Sequence, residues 1–167
     1  MTTETQKITF NEHHAYSIGV ISDTHGLLRP EVITLFKGVD LILHAGDVGD
    51  PDVLEELKSV APVLGVRGNM DYGNWAEALP VSRSLSLGKT KLLLIHDMDW
   101  IDGQTALGDY QVIITGHTHR PLIEERNKVI YFNPGSAGYQ RRQYPVSIGK
   151  LVLDNGHLDA RLVELGV

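Results

Sequence analysis

The chain has 167 residues, 42% hydrophobic and 22% charged, with a formal charge of −6 and no cysteine. Those numbers fit one domain with a single sizeable core, and exclude disorder, coiled coil, disulfides and thiolate metal sites. They argue against a protein that grips duplex nucleic acid by its phosphates, yet admit a small phosphorylated substrate if bound metal supplies the positive field.

Residues 1–15 read as a flexible polar tail, with His13 and His14 solvated, and residues 16–167 as the folded domain. Met1–Lys7 has no apolar signal region, and no run approaches the roughly 20 apolar residues that span a bilayer. A cytoplasmic protein without membrane contact is expected.

Tyr16–Ser22 reads as a buried strand ending in Asp23-Thr24-His25-Gly26. Pro30 marks a helix start, Glu31–Lys37 continues it and Gly38 stops it. Leu41–His44 is a second strand, running into Ala45-Gly46-Asp47. Pro51 opens another helix, in which Val53, Leu54, Leu57 and Val60 recur at helical spacing. Val63–Val66 is a third strand, opening into Arg67-Gly68-Asn69-Met70-Asp71. This alternation is that of parallel α/β units.

Ser82–Leu87 and Lys91–Ile95 flank a Gly88-Lys89 turn, and the second of these strands delivers His96. A helical stretch over Gln104–Leu107 precedes the strand Gln111–Thr115, which delivers Gly116-His117-Thr118-His119. The remainder reads as antiparallel: Leu122–Glu125, Val129–Phe132, Val146–Leu153 and His157–Val163, with Asp154-Asn155-Gly156 as a hairpin turn.

Five strands thus end in loops bearing metal-ligand residues: Asp23 and His25, Asp47, Asn69, His96, and His117 with His119. Loops at the carboxyl ends of strands are where α/β folds place their sites. Taken singly, an Asp or Gly at a strand end is a turn former, and a lone histidine is more often a satisfied structural one. Taken in this order, the seven side chains match what two metal ions need if one carboxylate bridges them. Imidazole, carboxylate and one amide suit Mn, Fe, Zn, Ni or Co, with Mn the first choice.

The ordered series Asp-x-His, Gly-Asp, Gly-Asn, His, Gly-His-x-His resembles the calcineurin-like metallophosphoesterase superfamily, and its small prokaryotic phosphodiesterase branch in particular. The resemblance runs from about Tyr16 to Ser136 and implies an α/β fold, a single-domain four-layer αββα sandwich of two packed mixed sheets. It places Asp23, His25 and His119 on one metal, and Asn69, His96 and His117 on the other, with Asp47 bridging both. Asp47, Asn69 and His117 take the catalytic part, together with a metal-bridging hydroxide that attacks a small phosphoester. Asn133-Pro134-Gly135-Ser136 matches a segment that shapes a loop beside the site.

Two positions depart from the family pattern. Met70 stands where many members have a histidine that helps protonate the leaving group, so Asp71 lacks its usual partner and is a candidate for a supporting place behind the ligands. Slow turnover, or substrates with good leaving groups, is expected. Asp97 stands where glycine is common, either as a solvated acid or in contact with a neighbouring histidine.

His44 is expected to be buried and hydrogen-bonded behind the ligands, His157 to lie on the surface, and Arg67 and Arg141 are candidates for holding substrate phosphate. Trp75 and Trp100 either line a cleft or join the core. A phosphodiesterase is the leading reading. A phosphomonoesterase would need more positive contacts, and a non-catalytic interaction scaffold would have no reason to keep seven ligands. The sequence leaves homo-oligomerisation open.

Overall fold

The structure, a computed structural model, describes residues 3–8 and 15–166. The strands are β1 (Thr3–Ile8), β2 (Tyr16–Ile21), β3 (Leu41–His44), β4 (Val63–Gly65), β5 (Ser82–Leu87), β6 (Thr90–Ile95), β7 (Val112–Ile114), β8 (Leu122–Arg126), β9 (Val129–Asn133), β10 (Ser147–Asp154) and β11 (His157–Glu164). Helices α1 (Pro30–Leu35), α2 (Pro51–Lys58) and α3 (Asn74–Glu77) lie among the first five strands, and 3-10 turns occupy Met98–Trp100 and Leu107–Asp109. The strands form a six-stranded sheet, β1-β5-β6-β7-β9-β8, and a five-stranded sheet, β11-β10-β2-β3-β4.

Alternation along the strands builds the sandwich. Ile18 and Val20 of β2, Leu41 and Leu43 of β3, Leu92 and Leu94 of β6, and Val112 and Ile114 of β7 all point into one buried cluster between the sheets, as period-two side chains must. Residues of the opposite phase face outward. Ile21, Ile42 and Ile148 pack under α1 and α2 with Val32, Phe36 and Leu57. Leu93, Ile95 and Ile113 pack under the 3-10 turns with Trp100 and Leu107. The result is the expected four-layer α/β sandwich, with one outer layer thinned to 3-10 turns.

Gly149 sits where β10 faces the inner ring of Phe132, and a Cβ there would collide with that ring. The largest buried aromatic between the sheets therefore depends on a glycine opposite it.

Several expectations need correcting. Thr3–Ile8, read as part of a tail, form an edge strand parallel to β5, so ordered structure begins before residue 16; His13 and His14 lie outside the described residues. The helix expected to reach Lys37 ends at Leu35, with Gly38 in the left-handed region. The helical stretch at Gln104–Leu107 is replaced by the single turn at Leu107–Asp109. The late strands are not simply antiparallel: β9 pairs antiparallel with β8 but parallel with β7. Meanwhile β10 and β11 return to the sheet of β2.

Three parallel strands of one sheet, β2, β3 and β4, end at the same edge, as do the parallel strands β6 and β7 of the other. The five loops that carry the candidate ligands follow these five strands.

Candidate metal centre

The loops are laced to one another before any side chain is considered. Asp23 N–H donates to Gly46 O and His25 N–H to Asp47 O, both at 3.0 Å, joining the loops after β2 and β3. Gly116 N–H donates to His96 O at 3.0 Å, joining those after β6 and β7. Across the sandwich, His117 N–H donates to Asp23 Oδ2 at 3.1 Å. Asp23, His25, Asp47, His117 and His119 all have positive φ. That conformation is uncommon outside glycine and is held where surrounding structure over-determines it, typically at functional sites.

Close approach explains the glycines of the motifs. A Cβ on Gly68 would strike the carboxylate and backbone of Asp47, and one on Gly46 would lie 2.7 Å from His96 Nδ1. The Gly-Asn and Gly-Asp loops can nest only without side chains there.

The seven expected ligands converge as two groups around Asp47. In the first, His119 Nε2 lies 3.1 Å from Asp23 Oδ1 and 3.3 Å from His25 Nε2. Donor atoms of Asp23, His25, Asp47 and His119 all lie within 4.8 Å of one another, forming a candidate metal-binding cluster. In the second, Asn69 Oδ1 lies 3.0 Å from His96 Nε2 and 3.1 Å from His117 Nδ1. Asp47 Oδ2 is shared, at 3.7 Å from His25 Nε2 and 3.4 Å from His96 Nε2. Its other oxygen, Oδ1, accepts Met70 N–H at 2.8 Å, which leaves Oδ2 to face both groups.

A metal fits this arrangement on internal grounds. Asp23 Oδ1 is fully buried and accepts no hydrogen bond among the described residues, with only imidazole edges nearby, His119 Nε2 at 3.1 Å the nearer, a costly state for a carboxylate unless a cation satisfies it. His96 Nδ1 bonds the Ala45 carbonyl at 2.7 Å, so its Nε2 lone pair is the atom left for coordination.

The electrostatics of the metal-free protein agree with that geometry. Burial lowers the His96 pKa, but the hydrogen bond to Asp47 and the nearby Asp23 charge outweigh it and the net shift is upward. Burial raises the Asp47 pKa, and the His96 bond and charge more than reverse it. His25 is shifted down, chiefly by burial, against the pull of Asp47 and Asp23. A divalent ion would displace the His96 proton, which makes its binding pH-dependent.

The supporting residues divide clearly. His44 is fully buried, accepts Gly46 N–H on Nδ1 at 3.2 Å, and bonds Thr24 Oγ1 through Nε2 at 3.0 Å. Both ring nitrogens are thus used in fastening the loops, and burial pushes its pKa down to about 4. Asp71 accepts three backbone N–H groups, from Gly68 at 2.8 Å, Gly49 at 2.9 Å and Val48 at 3.2 Å. It clamps the Gly-Asp loop to the Gly-Asn loop, a role its sequence position alone did not disclose. Asn133 Nδ2 donates to Gly116 O at 2.8 Å and Ser136 Oγ to Asp23 O at 3.1 Å, so the Asn-Pro-Gly-Ser segment props the ligand loops from behind.

Asp97 is not simply solvated: its Oδ2 lies 3.4 Å from His117 Nε2. Arg141 is exposed and its charge reaches His25, while Arg67 is half-buried at the base of the Gly-Asn loop, its N–H on Pro80 O. Met70 is 52% exposed at the mouth of the centre. Trp100 is half-buried with its ring 5.8 Å from that of His96, and Trp75 packs against the helix-side core. His157 is exposed. Among the described residues no helix is long and apolar enough to cross a membrane.

Comparison with known proteins places this edge of the sandwich in context. The chain is 41% identical over 161 residues to a probable metallophosphoesterase of Methanothermobacter thermautotrophicus, covering 89% of this chain and 92% of the relative. It is 32% identical over 158 residues to phosphodiesterase YfcE of Escherichia coli, covering 80% and 85%. Vacuolar protein sorting 29 of Cryptosporidium parvum shares the fold, with a TM-score of 0.72 at 21% identity over 90% of this chain and 98% of that one. The calcineurin-like phosphoesterase superfamily domain matches residues 16–156, and the chain belongs to that superfamily.

Proposed function

We propose that the protein is a dinuclear-metal phosphodiesterase that hydrolyses small phosphoesters, with Asp23, His25 and His119 holding one divalent ion, Asn69, His96 and His117 the other, and Asp47 between them. The observation that carries this reading is Asp47 Oδ2, which faces both donor groups while Oδ1 is occupied by Met70 N–H. A pair of divalent ions supplies a water of lowered pKa and positive charge opposite the phosphoryl oxygens. Mn is the first candidate for the donor set, with Fe, Zn, Ni and Co also suited.

The chain's own residues then do the orienting. Asp47, Asn69 and His117 line the reacting face, with Asn69 and His117 exposed toward solvent. Asp71 and His44 keep the loops at fixed separation through backbone bonds. Arg141, whose charge reaches His25, and Arg67, two residues before Asn69, are the candidate cations for a substrate phosphate. Met70 carries no transferable proton, so the leaving group departs without a general acid from that position, which favours weakly basic leaving groups. The sparse positive charge favours a diester monoanion over a monoester dianion. The name of the Escherichia coli relative, a phosphodiesterase, supports the same class.

The test is hydrolysis of an activated aryl phosphodiester beside the matching monoester, by metal-stripped protein reloaded with each metal. Metal-dependent diesterase activity that falls to background in Asp47→Asn is the expected result. Two bound metals with no hydrolysis of either ester would turn the reading toward an interaction scaffold. No metal uptake would overturn it.

A further inference from the structure

We propose that Asp97 is a positioning residue for the solvent-facing half of the centre: its carboxylate holds the Nε2 edge of His117 so that Nδ1 faces Asn69 and the second ion. The inference rests on the two-ion reading above.

His117 is the ligand with most freedom to be wrong. Its side chain is 42% exposed, against 0% for His96 and 8% for His119. An exposed imidazole can turn about its Cβ–Cγ bond, exchanging Nδ1 for a carbon, at little energetic expense. His96 is prevented from doing so by the Ala45 carbonyl at 2.7 Å. Among the described contacts of the His117 ring, the one charged acceptor on its far edge is Asp97 Oδ2, at 3.4 Å from Nε2. With a proton on Nε2 facing that carboxylate, the lone pair lies on Nδ1, the atom 3.1 Å from Asn69 Oδ1.

Asp97 is itself set in place. Its Oδ1 accepts Asp99 N–H at 3.0 Å and starts the 3-10 turn at Met98–Trp100, leaving Oδ2 for His117. The same turn carries Trp100, whose ring lies 5.8 Å from His96. One short segment therefore supports both histidines of this half. It also adds negative charge one imidazole away from a half that otherwise has only the shared carboxylate of Asp47. Such outer carboxylates raise the basicity of a ligating histidine and fix its tautomer, and their loss typically weakens metal binding roughly 10–100-fold.

The experiment is calorimetric titration of metal-stripped protein with Mn or Zn, for wild type, Asp97→Ser and Asp97→Asn. Serine keeps an acceptor for Asp99 N–H but is too short to reach His117, whereas asparagine keeps that acceptor through its one oxygen and turns an NH2 donor toward His117 Nε2. Asp97→Ser should weaken only the weaker of two binding steps, by about 10–100-fold, with the melting temperature of the metal-free protein unchanged. Asp97→Asn should weaken the same step at least as much, because its NH2 opposes a proton on His117 Nε2. In the zinc-loaded protein, long-range 1H–15N spectra should show His117 protonated on Nε2 in wild type, and not uniquely so in either variant. Wild-type binding of both ions by Asp97→Ser, or equal weakening of both steps, would overturn the role of Asp97 alone. Wild-type protein that takes up fewer than two ions would overturn the two-ion reading, and the role of Asp97 with it.

Discussion

The two halves of the centre share Asp47 but are built to different standards. The Asp23 half sets a fully buried carboxylate and the shared one against His25 and His119, with Asp23 Oδ1 accepting no hydrogen bond among the described residues. The Asn69 half has only the shared carboxylate, a neutral amide, one buried histidine and one exposed one. Charge and burial are concentrated on one side, and access to solvent on the other. On the two-ion reading proposed above, the buried charge cluster would hold its cation more firmly than the exposed amide, and the exposed half would be the one open to substrate.

The sharpest way to break the comparison is to neutralise the buried side. Asp23→Asn should weaken the tighter metal step by about 3–5 kcal/mol, the usual consequence of removing one member of a buried charge pair. Titration calorimetry would read this as the two steps merging or changing order. If the tighter step is untouched, the buried half is not the stronger site.

The next effect concerns the scaffold behind that half. His44 has a pKa of about 4 in the folded protein, lowered chiefly by burial from an ordinary 6.5. Between those values the unfolded chain binds the proton and the folded one does not. Its contribution is therefore complete above about pH 6.5 and is lost as pH falls toward 4, up to about 3 kcal/mol. Urea unfolding of metal-free protein at pH 7 and 4.5 should show this loss, and His44→Asn should flatten the dependence. An unchanged slope would mean that His44 is not the group responsible.

The smallest effect sharpens the exposed half. Met70→His places an imidazole at the mouth, and turnover of a diester with a poor leaving group should rise by about 10²-fold. An aryl diester with a good leaving group should barely respond. Because both oxygens of Asp71 are already committed to backbone N–H groups, the new histidine would work without the acidic partner usual in the family. No change with either substrate would place the rate-limiting step elsewhere.

Much of this was legible in the residues because it is encoded locally. Ile18 and Val20, Leu41 and Leu43, or Leu92 and Leu94 announce strands by their period, and Asp23, Asp47 and His117 stand immediately after such runs. The turn at Met98–Trp100 and α3 were missed, and the turn at Leu107–Asp109 was placed three residues early, because segments of three or four residues carry too little periodicity to read. Thr3–Ile8 is polar at most positions and exposed along one side, so its pattern resembles a tail; only the edge of β5 makes it a strand. The partners of Asp71 were not legible, because they are backbone N–H groups in two loops, one of them more than twenty residues away.

What the sequence determined by itself was therefore the strands from β2 onward and the types and order of the candidate ligands, all of which depend on residue chemistry and short-range spacing. The tertiary structure decided how those ligands are grouped. Whether Asp47 presents one oxygen to both sides, which nitrogen of His96 stays free, and whether Asp97 meets His117 or water depend on contacts between loops from two different sheets. Those contacts exist only once the sandwich has closed, when nested glycines and shared backbone bonds leave each side chain a single place to point.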